Sequence, residues 1–311
     1  MSDEATERAT RDSPRHERSQ EGANPPRVLV TGATGKLGRL VVDSLLKKLP
    51  ASQVAAAVRS PEKAADLAAR GVAVRKADYT QPATLDAAFR GVERLVFISA
   101  SEVGKRLEQH RAVVDAAKRA GVKLVVYTSI LKADRAKTGL AAEHRATEQL
   151  LAASGVPHVC LRNGWYIENY SENLAGPLHA GVLLGAAGKG KVSPAARRDY
   201  AEAAAVVVTG EGHAGKAYEL AGDAAYTLAE LAAVIARASG KPVAYQDLPE
   251  KEYSATLQKF GVPGPIADML ADADVGLGRG ELEDSGGDLR RLIGRPTTPL
   301  ADVIAAAVRA G

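Results

Sequence analysis

Three glycines carry the first chemical signal in this chain. In "VTGATGKLG", Gly32, Gly35 and Gly38 stand in a GxxGxxG spacing between an apolar run and an amphipathic one. The chemistry there belongs to the backbone. Gly32 permits a sharp turn, Gly35 lets the chain approach a diphosphate, and Gly38 lets helix and strand pack closely. The helix that follows opens with unpaired N–H groups and a partial positive charge, which suits phosphates. Three glycines alone are weak evidence, but between a strand and a helix they mark a dinucleotide turn. A second cluster is "LRNGWYIENY", residues 161 to 170, in a chain with one Trp, nine Tyr and three Phe among 311 residues. Trp165, Tyr166 and Tyr170 fall there beside Asn163, Glu168 and Asn169. Flat rings and amides gathered in one place suit a flat ligand; a packing corner is the plainer alternative.

The end of the second β-rich run, "AAAVRSPEK", bears on which dinucleotide. An enzyme for NAD commonly has an acid there for the ribose hydroxyls. Here Arg59 takes that place, and a guanidinium fits a 2′-phosphate by paired, charge-assisted hydrogen bonds. Arg59 as a plain solvated charge is the other reading. The expectation is NADPH, with NADH still admissible. Asp78, after the third run, has two roles open to it: accepting from an adenine amino group, or capping the helix after Thr80. Ser129 occupies the position of a short-chain reductase serine, but the next helix, "GLAAEHRATEQLL", has neither the Tyr nor the Lys that accompany it. Lys132 and Lys137 lie in the preceding loop. His144 and Glu148 are one helical turn apart and form either an acid–base pair or an ordinary surface pair.

The missing pair constrains the acceptor. Hydride delivery to a simple ketone makes a strongly basic alkoxide, which benefits from a placed proton donor. Delivery to a quinone makes a hydroquinone anion whose pKa lies near the phenolic value of about 10. Such a product needs several kcal/mol less help, at ~1.4 kcal/mol per pK unit. The absence of Tyr and Lys fits quinone reduction, and equally fits no catalysis.

These residues need a scaffold, and the chain supplies one. From Val28 onward, apolar β-rich runs alternate with helical patterns: "RVLVTG", "SQVAAAVRS", "VAVRKADY", "RLVFISA", "KLVVYTSI" and "PHVCLRN" are the expected strands. That alternation predicts an α/β fold, a Rossmann-type doubly wound parallel sheet with a smaller C-terminal α/β substrate lobe. Residues 1–26 hold mixed charge and hardly any large apolar side chain, and read as a disordered lead-in. The expected division gives 27–165 to dinucleotide binding, with 191–221 returning to it, and gives 166–190 and 222–311 to the substrate lobe. In the latter parts, "AGPLHAGVLLGAAGKGK" reads as loop with a short strand, helices are expected near 227–239, 249–260 and 265–273, and "GLGRGELEDSGGDLRRLIG" reads as irregular. A net charge of +4 with scattered basic residues gives no support to nucleic-acid binding. No apolar run is long enough for a membrane helix, and the single cysteine, Cys160, reads as a buried thiol. A cytoplasmic protein is expected.

With these segments assembled, the chain resembles the short-chain dehydrogenase/reductase superfamily, specifically its NmrA-like atypical members and, among those, the bacterial type 2 NAD(P)H:quinone oxidoreductases. "VTGATGKLG", "ISASEVGKR", "YTSIL", "LRNGWYIENY", "GAAGKGK", "YELAGD" and "DMLADADVG…LIGRPTTPL" carry the likeness, from about residue 27 to 303. The resemblance implies hydride transfer straight from NADPH to a small quinone, without flavin or metal, in a cleft between two domains. By position it implies a nucleotide site of Gly32, Thr34, Gly35, Lys36, Leu37 and Arg59, with Asp78 nearby. Ser99, Ala100, Ser101, Thr128 and Ser129 would border the nicotinamide ribose, and Asn163, Gly164, Trp165 and Tyr166 the nicotinamide itself. Asn169, Tyr166 and Trp165 are the residues expected to act on the acceptor, Asn169 orienting a carbonyl with Tyr166 or Tyr170. Arg197, Arg198 and Tyr200 either help close the site or simply start a helix. The alternative is an NmrA-like redox sensor that binds NADP without turnover; a reductase or epimerase for another ligand is a third. A homo-oligomer is compatible with all of these.

Overall fold

The computed structural model describes residues 27–102 and 104–310, so the expected disordered lead-in lies outside the described residues. Seven strands form one parallel sheet: β1 (Val28–Thr31), β2 (Val54–Val58), β3 (Ala73–Lys76), β4 (Arg94–Phe97), β5 (Leu124–Ile130), β6 (His158–Asn163) and, much later, β9 (Ala217–Leu220). Their order is β3-β2-β1-β4-β5-β6-β9. The register sets Val30 beside Ala56 on one side and beside Val96 on the other. β1, β2 and β5 are buried along their whole length, as strands covered on both faces must be. The chain winds outward through β2 and β3, then crosses back to β4. That reversal opens a crevice at the carboxyl ends of β1 and β4, where doubly wound sheets bind ligands.

Helices α1 (Lys36–Leu46), α2 (Ala65–Ala69), α3 (Pro82–Phe89), α4 (Arg106–Arg119) and α5 (Gly139–Ser154) connect the first six strands. A 3-10 turn, Pro61–Ala64, precedes α2. Leu85, Phe89, Val113, Val114 and Leu151 of α3, α4 and α5 fill one face of the sheet. Val41, Leu45 and Leu67 cover the other face with Ala204, Val207 and Val208 of α8 (Arg197–Thr209).

After Asn163 the chain makes two short helices, α6 (Glu168–Ser171) and α7 (Ala175–Ala180), then β7 (Val182–Gly185) and β8 (Lys191–Val192). The stretch expected to be loop with one strand therefore contains a helix as well. Beyond β9 come β10 (Tyr226–Thr227), α9 (Leu228–Ser239), β11 (Ala244–Asp247), α10 (Glu250–Lys259), α11 (Gly264–Gly278), α12 (Asp288–Ile293) and α13 (Leu300–Ala310). β11 pairs with β7 and β10 with β8. A further core gathers Ile167, Leu174, Leu231, Ile235 and Ile304, with Trp165 and Tyr170 packed against it. α9 begins with a complete capping box between Thr227 and Glu230, which satisfies its first backbone donors. The tail expected to be irregular folds into α12, and its Leu289 and Ile293 join the core beneath α1 and α8. Part of the stretch assigned to the smaller lobe thus packs on the main sheet. Among the described residues, no helix is long and apolar enough to cross a membrane.

Candidate dinucleotide and acceptor site

The glycine turn is forced by its own atoms. Gly32 has φ +59°, a conformation that side chains disfavour. A Cβ on Gly38 would lie 2.2 Å from the Gly32 carbonyl oxygen and 2.8 Å from Ala33 Cα. Gly35 caps α1 without any side-chain hydrogen bond, so the first amides of that helix face outward for a ligand. They open on a cleft of about 570 Å³ that Gly32, Thr34, Gly35, Lys36, Leu37, Arg59, Asp78, Ser99, Ala100 and Ser101 line together. Arg39, Ser60, Lys63, Tyr79, Glu102 and Gln109, outside the expected set, also line it. Arg39 had a local signal, a base in the first turn of the helix behind the glycines.

Arg59 reaches into solvent, its side chain 73% exposed, with Glu102 at 3.8 Å. Arg39 is held by Asp66 and by the Lys63 carbonyl at 2.8 Å. Arg39, Arg59, Lys63 and Lys36 give the cleft its cationic lining. Asp78 accepts from the Thr80 amide at 2.9 Å and from the Thr80 hydroxyl at 2.7 Å. It closes the turn before α3, whose cap is Gln81, while still lining the cleft. Burial works against its ionisation, but the Thr80 bonds and the Arg59 and Lys76 charges hold its carboxyl below the ordinary value.

Two expected members stand behind this wall. The Thr128 hydroxyl accepts from the Ser99 amide at 3.0 Å. The Ser129 hydroxyl donates to Glu148 at 2.6 Å, and neither residue lines the cleft. Glu148 is taken up further by Arg162 at 2.7 and 3.0 Å, and Arg162 also binds Glu219 at 2.9 Å. An acid–base pair of His144 and Glu148 is therefore not formed. His144 instead meets the Tyr127 hydroxyl at 2.7 Å, and burial pulls its pKa well below the ordinary value. Burial pushes the Cys160 thiol up to about 12, which fits an inert thiol.

The segment 161 to 170 runs from the end of β6 into α6. Gly164 is pinned by its amide on the Leu220 carbonyl at 2.7 Å, and a Cβ there would press within 3.0 Å of Leu220 and of the Tyr200 hydroxyl. Asn163 is buried and donates to the Tyr166 hydroxyl at 3.4 Å. Its Oδ1 and the Tyr170 hydroxyl are the buried side-chain polar atoms without a hydrogen-bond partner among the described residues. An unpaired buried acceptor costs ~1–3 kcal/mol, which leaves Asn163 Oδ1 as the group of this segment with an unmet bond; the Tyr170 hydroxyl lies against Trp165 within the third core. The Asn169 amide, half-buried on α6, also makes no side-chain hydrogen bond among the described residues. Trp165 and Tyr170 pack on the third core, so the packing explanation holds for part of each ring.

Arg197 closes this segment from behind. Its amide donates to both Glu168 oxygens at 2.9 Å, a carboxylate at the start of α8 where the helix dipole favours it. Its guanidinium lies 5.2 Å from the Tyr166 ring centroid and binds Glu172 at 2.8 Å. Glu172 in turn holds Lys36 at 2.6 Å, joining the glycine turn to the aromatic segment. Arg198 bonds Thr298 at 3.0 Å, away from both. Tyr200 is buried, edge-on to Tyr166 with centroids 5.2 Å apart. No group of three or more metal-ligating side chains occurs among the described residues.

A family model described as the NmrA-like family matches residues 25–285. The chain belongs to the NmrA-like family. Quinone oxidoreductase 2 of Escherichia coli (strain K12) is 53% identical over 277 residues, covering 89% of this chain and 97% of that protein. The crystal structure of an NADPH-dependent quinone oxidoreductase from Escherichia coli complexed with NADPH superposes with a TM-score of 0.88, covering 90% of this chain and 99% of that one. The triphenylmethane reductase of Citrobacter sp., complexed with NADP(H), is 41% identical, with a TM-score of 0.86 and coverage of 90% and 99%. The Rossmann-type fold is common to the family and to this chain.

Proposed function

We propose that the chain is an NADPH-dependent quinone oxidoreductase that passes hydride directly to a small quinone, with neither flavin nor metal. The observation that carries this reading is the buried Asn163 Oδ1, without a hydrogen-bond partner among the described residues, on the segment that follows β6 and is joined to the glycine turn through Glu172 and Lys36. The similarity to the Escherichia coli enzyme, at 53% identity across nearly its whole length, supports the same activity over a sensor without turnover. NADPH bound in the cleft supplies the hydride. The glycine turn and the free amides of α1 receive its diphosphate. Arg59, with Arg39 and Lys63 beside it, takes the 2′-phosphate. Asn163 offers its Oδ1 to the nicotinamide carboxamide, and Gly164, Trp165 and Tyr166 flank the ring. Asn169 donates to the acceptor carbonyl, a bond that strengthens as charge gathers on that oxygen, with Tyr166 or Tyr170 beside it. The product anion has a phenolic pKa of about 10, so water completes its protonation and no Tyr–Lys pair is required.

Residues 27–165 and 191–221 serve the cofactor in this proposal, and 166–190 with most of 222–311 serve the acceptor. A small quinone met in the cytoplasm belongs to the same reading. The test follows NADPH absorbance with and without 1,4-benzoquinone, with no flavin added. Quinone-dependent oxidation is expected. Tight NADPH binding without it would sink the enzyme reading and favour the sensor.

A further inference from the structure

The cleft wall at residues 99 to 101 is gripped from behind by buried groups that the proposed reaction leaves unused. His110, on α4, is fully buried, and its Nε2 lies 2.9 Å from the Ala100 amide. Its Nδ1 lies 2.8 Å from the Thr147 hydroxyl on α5, and that hydroxyl donates to the Glu143 carbonyl at 3.1 Å. The proton positions follow. An amide can only donate, so Nε2 carries a lone pair. The Thr147 hydrogen is spent on Glu143, so its oxygen accepts, and Nδ1 carries the imidazole hydrogen. A doubly protonated ring would set N–H against N–H and lose Ala100. Burial, with the Arg106 charge alongside, pushes the His110 pKa down to about 3, so the ring stays neutral.

The carbonyl of the same residue is held too. Arg106 Nε donates to the Ala100 oxygen at 2.9 Å. The Arg106 guanidinium pairs with Glu143, whose other oxygen accepts from the Gly104 amide at 2.8 Å. Both polar groups of one cleft-wall peptide segment are thus fixed by α4 side chains that α5 anchors in turn.

We infer that His110 is a positioning residue for the cofactor: as the neutral Nδ1–H tautomer it fixes the Ala100 backbone, so the wall is preformed before NADPH arrives. The inference rests on assigning the cleft to NADPH. A merely structural role has a definite alternative form, since His110 also packs edge-on to Phe97 and Tyr127 at 4.7 and 5.5 Å. On that alternative any apolar side chain of similar size serves as well.

The experiment compares His110→Leu with His110→Gln. Leu removes the acceptor and leaves the Ala100 amide unpaired, so the KM for NADPH rises about tenfold, while kcat and the quinone KM stay within about twofold. Gln returns an acceptor near Nε2 and restores most of the NADPH affinity. Long-range proton–nitrogen NMR of the unaltered protein should show a protonated Nδ1 and a bare Nε2 at neutral pH. Where His110→Leu does not fold, Thr147→Val keeps the volume, frees the tautomer and raises the NADPH KM by a smaller factor. The opposite tautomer in the unaltered protein overturns the inference. So does an unchanged NADPH KM in the Leu or Val variant, or a Gln variant as impaired as Leu. The underlying cleft assignment fails separately: Arg59→Ala would then leave NADPH affinity untouched, whereas failure at His110 alone leaves the Arg59 effect intact.

Discussion

The glycine turn of residues 32 to 38 and the segment 163 to 170 lie at the carboxyl edge of one sheet and are built in opposite ways. The turn works through backbone: a positive φ at Gly32, free amides at the start of α1, and no room for a Cβ at Gly38. The segment works through side chains, and it carries the two buried side-chain polar atoms that lack hydrogen-bond partners among the described residues. The turn tolerates almost no substitution and asks little of residue identity beyond glycine. The segment stores an unmet demand for hydrogen bonds, which a ligand can satisfy, at a cost to the empty protein.

That contrast orders the expected effects of substitution. Gly38→Val drives a side chain into the Gly32 carbonyl and Ala33, and NADPH binding should vanish or the chain fail to fold; fluorescence titration with a thermal melt distinguishes the two outcomes. Arg59→Ala should weaken NADPH by ten- to a hundredfold and NADH hardly at all, since a charge-assisted hydrogen bond contributes ~1.5–3 kcal/mol; equal losses for both cofactors would refute its phosphate role. Asn169→Ala should lower kcat/KM for benzoquinone about tenfold and leave the NADPH dissociation constant within about twofold. A shared loss there would break the contrast between the two halves.

The remaining two concern stability. Burial raises the Asp274 pKa to about 6, with the Ala186 amide working against that rise. The folded form therefore binds this proton more tightly than the unfolded chain does. The resulting stabilisation is present at low pH and is lost as pH rises through about 6. Asp274→Asn should raise the melting temperature by a few degrees at about pH 8 and not at about pH 4. Equal gains at both pH values would place the effect in packing. Tyr170→Phe deletes a buried hydroxyl whose neighbouring donor is Trp165, so the ligand-free protein should keep its stability to within ~1 kcal/mol while quinone turnover falls. A larger loss of stability would show that the hydroxyl has a stronger partner.

Most of the central sheet was legible because parallel strands buried on both faces read as apolar runs, and helix-length spacers with glycine stops separate them. The short elements were not. α7 and α12 have six residues each, and helices so short depend on what they dock against rather than on their own propensity. α12 forms because Leu289 and Ile293 find the core beneath α8. α13 is a different case: Leu300, Val303, Ile304, Ala307 and Val308 carry a helical period, so the signal was present in a tail read only as lobe. Among the residues lining the cleft, the glycines were legible from spacing and Arg59 from its place after β2. Lys63 was not, because chain winding brings it to the cleft; Arg39 carried only the weak signal of a base in the first turn behind the glycines. His144 and Glu148 show the converse. They share a helix face, yet Tyr127, Ser129 and Arg162 from neighbouring strands claim them first.

The cations around the cleft also set how the cofactor arrives. Lys36 is occupied by Glu172, Arg39 by Asp66 and Arg59 by Glu102; Lys63 has no carboxylate within reach among the described residues. On the proposed assignment, phosphate entry is therefore an exchange of one counter-charge for another rather than the neutralisation of a bare basic field. Long-range steering is correspondingly weak. Added salt screens the outgoing pair and the incoming one alike, so the mouth of the cleft recognises phosphate at contact and hardly at a distance.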